Sequence, residues 1–338
     1  YFDNAGTHNV ATVTANAGAT INSSGATIYS NHGTLNAQTI DVNAGVALQG
    51  YGTFWRNGGN GQTWINHGIF NANTSGQTWS INYTDTFNNS GVMNASNGGN
   101  FSFASTTPNF NNSGTINLAS TGTSSVSTST FTNTGTLTLA SGTLSLQPSV
   151  ALTNTTGNVA FNGGTLTLGG GYDTSFFASG HYTRTGGTTL NLNGTLNIGG
   201  GTLDIGSAGL FGSGGLNGTV GGTLSNGTLI SGDGTVLTGS GNATLTNVTL
   251  GDATHLSLTT AGSFHVSNNL TLADGGTLNI GGGNWYFDNA GTHNVATVTA
   301  NAGATINSSG ATIYSNHGTL NSGIDVDGLG VERAVIAV

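Results

Sequence analysis

Cysteine is absent from the 338 residues, proline occurs only twice, and the basic residues number three, all of them arginine: Arg56, Arg184 and Arg333. Without thiols there is no disulfide framework, no cysteine-ligated zinc and no thiol nucleophile. Three dispersed cations make no basic surface. Nucleic acid and anionic membranes are therefore excluded as partners, because phosphate recognition needs clustered Lys and Arg. Charged residues of both signs are 4% of the chain, against roughly 25% in an ordinary soluble domain. The longest apolar run, Ala334 to Val338, falls far short of the ~18 residues a membrane helix needs, so no membrane insertion is expected. The net charge of −9 comes from scattered Asp and the single Glu332, with no acidic tail. A cysteine-free, charge-poor composition suits an exported protein that crosses a membrane unfolded, and a chain opening on Tyr1 reads as a mature or excised part of something longer.

What is present in quantity is glycine, 59 residues, together with Thr, Ser, Asn and Leu in short repeated phrases. The segment from Tyr1 to Asn36 recurs without a mismatch as Tyr286 to Asn321, so one long repeat runs from Tyr1 to Trp285 and a second begins after it. Ile40-Asp41-Val42 is echoed afterwards by Ile324-Asp325-Val326, whereas the atypical closing segment 328–338 does not match the coil pattern and reads as a cap, an interface strand or a foreign end.

A shorter period runs inside the long one. It is marked by NHG at Asn66, FNNSG at Phe87 and Phe110, FTNTG at Phe131 and LTNTTG at Leu152. The closing glycines are Gly68, Gly91, Gly114, Gly135 and Gly157, and the first four are followed two positions on by Phe70, Met93, Ile116 and Leu137. They recur about every 22 residues, a period typical of solenoid repeats. Within a coil the pattern alternates, as in Gly135-Thr-Leu-Thr-Leu, which puts Leu137 and Leu139 on one face and Thr on the other. Corners of the form Ala-Ser-Gly, Gly-Gly-Gly or Asn-Gly separate the strands, where a positive φ is tolerated, and no stretch offers a capped, 3.6-period helix. Short strands, such corners and a period of about 22 residues predict an all-β, parallel β-helix (β-solenoid), each strand stacking on its equivalent in the next coil. A single continuous β-helix over 1–338 is expected, with roughly 15 coils spanning about 70 Å at ~4.8 Å per coil. Such stacking explains the missing charge: equivalent residues lie ~4.8 Å apart, where like charges repel by about 3.5 kcal/mol at an effective dielectric of 20. Amides stack instead. Asn31, Asn66, Asn89, Asn112 and Asn133 precede the corner glycines by two positions and are expected to form an inward structural ladder.

Phrases such as N-S-G-T-I-N-L, T-G-T-L-T-L and G-G-T-L-N-I-G resemble those of long bacterial surface proteins of the autotransporter-passenger and filamentous-haemagglutinin kind. The resemblance covers nearly the whole chain. It implies a right-handed β-helix, secreted or displayed at the cell surface, acting as an adhesin, stalk or fibre. The resemblance is to coil-forming phrases, which carry no chemistry.

Candidate sites are few. Asp233, Asp252 and Asp274 follow one another at close to one coil each, so a row of carboxylates for Ca²⁺ or glycosidic chemistry is one reading and plain corner residues the other. With no Lys and one Glu, no enzyme, metal or cofactor is expected. The histidines are dispersed, and His32 and His67 take a corner place held elsewhere by Ser90, Ser113 and Thr134. Trp55, Trp64, Trp79 and Tyr83 form an aromatic cluster, either a glycan or partner patch or, since Trp79, Ile81 and Tyr83 alternate, an inward core stack. An uncapped solenoid end invites another chain, so self-association end to end is expected, with a surface glycan or neighbouring-cell ligand as the other partner class. The function expected is a non-catalytic, secreted structural or adhesive solenoid. The alternatives are a carbohydrate-active β-helix and an ice- or surface-binding solenoid built on outward Thr rows such as Thr136, Thr138 and Thr143.

Overall fold

A computed structural model describes residues 20–31, 39–57, 63–82, 84–147, 149–251, 257–260, 263–272, 277–281, 284–288, 297–300, 305–309, 312–315 and 319–321. These form a parallel β-solenoid of about nine turns, with coils roughly 22 residues apart and almost no helix. The chain divides into two compact units, residues 1–170 with 180–183, and residues 171–179 with 184–338.

In the first unit a coil is three short strand segments. Thr86–Asn89, Val92–Ala95 and Asn100–Phe103 make one such coil, and each burial pattern alternates with the second and fourth residue inside. Period-two alternation follows directly from the pleat, since successive side chains leave a strand on opposite faces. The stacking is parallel and in register. Trp64, Phe87, Phe110, Phe131 and Leu152 succeed one another as backbone partners, and so do Phe70, Met93, Ile116, Leu137 and Val159.

The positive φ expected at Ala-Ser-Gly and Gly-Gly-Gly corners is found at Gly142 (φ 71°) and at Gly199 and Gly200 (φ 70° and 81°), whereas the closing glycines of the coils are required for another reason. Gly68, Gly91, Gly114 and Gly135 do not have positive φ. A Cβ on Gly91 would lie 2.2 Å from the Gly68 carbonyl oxygen, one on Gly114 2.2 Å from that of Gly91, and one on Gly135 2.1 Å from that of Gly114. The corners stack backbone on backbone, leaving no room for a side chain. Left-handed backbone is found elsewhere, at Asn97 and Gly98 with φ 51° and 81°, in the turn before Asn100–Phe103.

The second unit uses the same principle with longer coils. Leu196 pairs with Leu224 and Leu203 with Leu229, both wider offsets in sequence than the one from Leu224 to its next partner, Leu245. The described residues make about nine turns, against the roughly 15 expected from a constant period over the whole chain. The stretch 169–186 is folded. It holds Gly171–Asp173, a five-residue helix Thr174–Ala178 and Tyr182–Arg184, and Tyr172, Phe177 and Tyr182 are buried. The helix is capped by Asp173, whose side chain accepts from the Ser175 backbone N–H at 2.8 Å, a short turn in a chain with almost no helix, as expected. It is too short for helical periodicity to register. Phe177 anchors it against Phe211, with ring centroids 4.9 Å apart.

Candidate functional site

The most regular polar constellation is the asparagine column of the first unit. Asn66, Asn89, Asn112 and Asn133 end their strands and are buried. Each Nδ2 donates to the Oδ1 of the next: Asn66 to Asn89 at 2.7 Å, Asn89 to Asn112 at 2.7 Å, Asn112 to Asn133 at 2.7 Å, and Asn133 to Asn154 at 2.8 Å. The second Nδ2 hydrogen serves the backbone of the following coil, as from Asn89 to the Thr115 carbonyl at 3.2 Å and from Asn112 to the Thr136 carbonyl at 3.2 Å. A side-chain amide has two donors and an acceptor with two lone pairs, so one residue type per coil satisfies its neighbours indefinitely.

The ends of the column are informative. Asn154, three positions before its glycine because of the extra Thr in LTNTTG, falls outside the ladder read from glycine spacing; aligning from Leu152 instead of from Gly157 places it there. It closes the column by donating to the His181 carbonyl at 3.2 Å. At the other end Asn66 stands on Val42, and its Oδ1 is buried without a hydrogen-bond partner. Asn31, expected to precede Asn66, pairs instead with Asn57 at the end of Ala47–Asn57. The shared spacing to a glycine misled because the backbone register puts Asn31 in a different column.

The aromatic cluster divides. Trp64 is 2% and Trp79 0% exposed, which overturns their reading as a glycan or partner patch. Both are filled into the core. Trp64 stacks on Phe54 with centroids 3.9 Å apart, and Trp79 meets Phe54 at 5.1 Å and Phe70 edge-on at 5.2 Å. The column continues through Phe103 on Phe110 at 4.0 Å and Phe110 on Phe131 at 4.4 Å. The indole N–H groups of Trp64 and Trp79 are buried without partners, a penalty offset by the area these rings bury. Tyr83 and the Trp55 side chain lie outside the described residues.

Of the three aspartates in the proposed row, Asp252 and Asp274 lie outside the described residues. Asp233 is a corner residue. Its carboxylate accepts from the Thr235 hydroxyl at 2.6 Å, the Thr235 N–H at 3.0 Å and the Ser207 N–H at 2.8 Å. These bonds, the Thr235 hydroxyl first, hold its pKa well below the ordinary value of 3.8. Such a carboxyl is a poor proton donor near neutrality. Asp204 accepts in the same manner from the N–H groups of Gly206 at 2.8 Å and Gly232 at 3.0 Å. Among the described residues no group of three or more His, Cys, Asp or Glu is arranged to hold a metal ion. His67 meets the hydroxyl of Ser90 in the next coil, whereas His32 is outside the described residues.

Arg184 is a buried cation of the second unit. Its Nε donates to the Thr188 hydroxyl at 2.7 Å and its Nη2 to the Thr188 carbonyl at 3.0 Å and Asn217 Oδ1 at 2.8 Å, while Nη1 meets the Gly215 carbonyl. Asn217 returns a bond to the Thr188 carbonyl at 2.7 Å. The guanidinium fork thus ties the winding segment around Gly215 to the strand Thr188–Leu192, a joining role rather than a reactive one.

On the outer face of the first unit a second amide row crosses the coils. Asn94 donates to Asn71 at 2.9 Å and Asn117 to Asn94 at 3.0 Å, beside an open polar hollow lined also by Asn73, Ser96 and Asn97. Comparison with family models, with curated proteins and with solved structures finds no match for this chain.

Proposed function

We propose that the protein is a non-catalytic, extracellular structural or adhesive solenoid, a stiff stalk or fibre element of the kind its coil phrases resemble in autotransporter passengers and filamentous haemagglutinins. The observation that carries this reading is the direction of its hydrogen bonds. Buried amides from Asn66 to Asn154 bond along the stack from coil to coil, and Asp204 and Asp233 bond to corner backbone. Polar groups arranged this way strengthen a column mechanically and present no reactive pair. Growth by coil stacking needs only an open strand edge, which a solenoid has wherever a cap is lacking. A surface glycan or neighbouring-cell ligand would meet the outer polar face, where the Asn71, Asn94 and Asn117 row lies.

The experiment is sedimentation velocity over a rising concentration series, paired with negative-stain electron microscopy of the same samples. Concentration-dependent growth into rods of constant width supports the reading. Monomers persisting at the highest concentration, or sugar cleavage lost on Asp233→Ala, would replace it.

A further inference from the structure

The repeated segment is seen in two settings that together describe both edges of one coil. In the amino-terminal copy, Thr20–Asn31 pairs with a later coil: Thr20 with Ala47, Asn22 with Gln49, Ile28 with Phe54 and Asn31 with Asn57. In the carboxy-terminal copy the same residues, as Thr305–Ser309 and Thr312–Ser315, pair with an earlier coil. There Thr277 meets Thr305, Asn279 meets Asn307, Asn284 meets Thr312 and Trp285 meets Ile313. The repeat boundary between Trp285 and Tyr286 falls inside a strand, Asn284–Asp288. One unit therefore passes into the next with no linker, in the middle of a hydrogen-bonded ladder.

We propose that a second copy of this chain joins the first by exchange of this segment. A single copy of the repeat is sandwiched at the junction between Thr277–Trp285 of one molecule and Ala47–Asn57 of the other. The inference rests on the fibre reading above and names its joint. Because the two copies are identical in sequence, the amino-terminal copy of one molecule replaces the carboxy-terminal copy of the next with the same side chains, in the register that the carboxy-terminal copy takes on Thr277–Trp285. This is strand addition at an open edge combined with swapping of an identical element. The contact is heterologous, so it propagates instead of closing. Each junction retains one copy and releases the other, so release is the step that limits growth.

The chain has no cysteine, which makes disulfide trapping clean. Adjacent parallel strands lie about 4.8 Å apart, within the roughly 4.4–6.8 Å Cα separation a disulfide accepts. Transposing the pair Asn279 and Asn307 onto the other copy gives Asn279 and Asn22. The full chain carrying Asn22→Cys with Asn279→Cys is expected to yield, on oxidation of assembled material, a ladder of covalently linked multimers. Asn22→Cys with Asn284→Cys, out of register, is expected to give at least tenfold less. Asn279→Cys with Asn307→Cys locks the carboxy-terminal copy onto its own molecule; together with the retained amino-terminal copy it should slow growth by tenfold or more, reversed by reductant. A synthetic peptide spanning 286–321, added in excess to the unsubstituted chain, should shorten the rods without relying on any substitution.

Rods that form normally from the unsubstituted chain, yet give no ladder from the in-register pair and no response to the peptide, overturn the joint and leave the fibre reading standing. A cross-link within single molecules between the two thiols introduced by Asn22→Cys and Asn279→Cys also overturns it. Absence of rods altogether overturns both.

Discussion

The two units solve the same packing problem with different residues. The first fills its interior with rings, from Phe54 and Trp64 through Phe131, and adds a buried asparagine column. The second fills with Leu196, Leu203, Leu224, Leu229 and Leu245 and puts its asparagines on corners. Asn226 and Asn247 have φ 57° and 52°, are exposed, and bond as a chain, Asn247 to Asn226 at 3.3 Å and Asn226 to Asn197 at 3.2 Å. One residue type thus performs two tasks. Inside, the amide must satisfy buried donors and acceptors; outside, it makes a left-handed corner tolerable. The difference teaches that a row of identical residues does not reveal its energetic weight. Burial and backbone angle do.

The comparison breaks most severely at the rings. Trp79→Ala is expected to cost about 3–5 kcal/mol, the range for a large aromatic truncated in a packed core. Trp79→Phe should cost much less, since it also removes an N–H that has no partner; chemical denaturation of both variants checks this. Next comes Asn112→Ala. It strands one Nδ2 hydrogen of Asn89 and the Asn133 Oδ1, at about 1–3 kcal/mol for each buried group left unsatisfied. Asn226→Ala in the exposed row should cost about 1–2 kcal/mol, from the backbone angle alone, and Asn226→Gly close to nothing. Equal losses for Asn112→Ala and Asn226→Ala would erase the distinction between the rows. Val42→Asn runs the other way. By offering a donor to the orphaned Asn66 Oδ1 it should stabilise by about 0.5–1.5 kcal/mol, seen as a raised denaturation midpoint at unchanged slope.

The smallest effect concerns pH. The Asp233 pKa is lower in the folded chain than its ordinary value of 3.8, so its share of stability is present above that value and fades as pH falls below it. Asp233→Asn should flatten this part of the acid limb in a pH series of melting temperatures. The effect is small because the carboxylate is exposed and screened by solvent.

Much of the fold was legible because a solenoid writes its architecture locally. Period-two alternation, a spacing of about 22 residues and one Asn per coil are all short-range signals, and they located the column from Asn66 to Asn133 from pattern alone. What escaped has physical causes. Asn31 carries the same spacing to a glycine, but register is fixed by the strand it lies on, and that strand pairs with Ala47–Asn57. Asn154 was hidden by one inserted Thr. The buried threonines Thr84, Thr107 and Thr128, of which Thr84 donates to Thr107 at 3.1 Å, repeat at the same offsets as the asparagines. They lack a neighbouring glycine to mark them. Trp64 and Trp79 were ambiguous because alternation tells which side a residue faces and not how closely the next coil covers it. Arg184 gave no signal at all: its partners Gly215 and Asn217 are distant in sequence, and no local pattern joins them.

The most direct measurement is cryo-electron microscopy of the concentrated full chain with helical reconstruction. Rods with an axial spacing of about 4.8 Å, continuous across the joints between chains and with the Asn66 to Asn154 column running along their axis, are the expected result. Separate particles at every concentration, or rods whose strands run along the axis instead of across it, would contradict a fibre built by stacking coils.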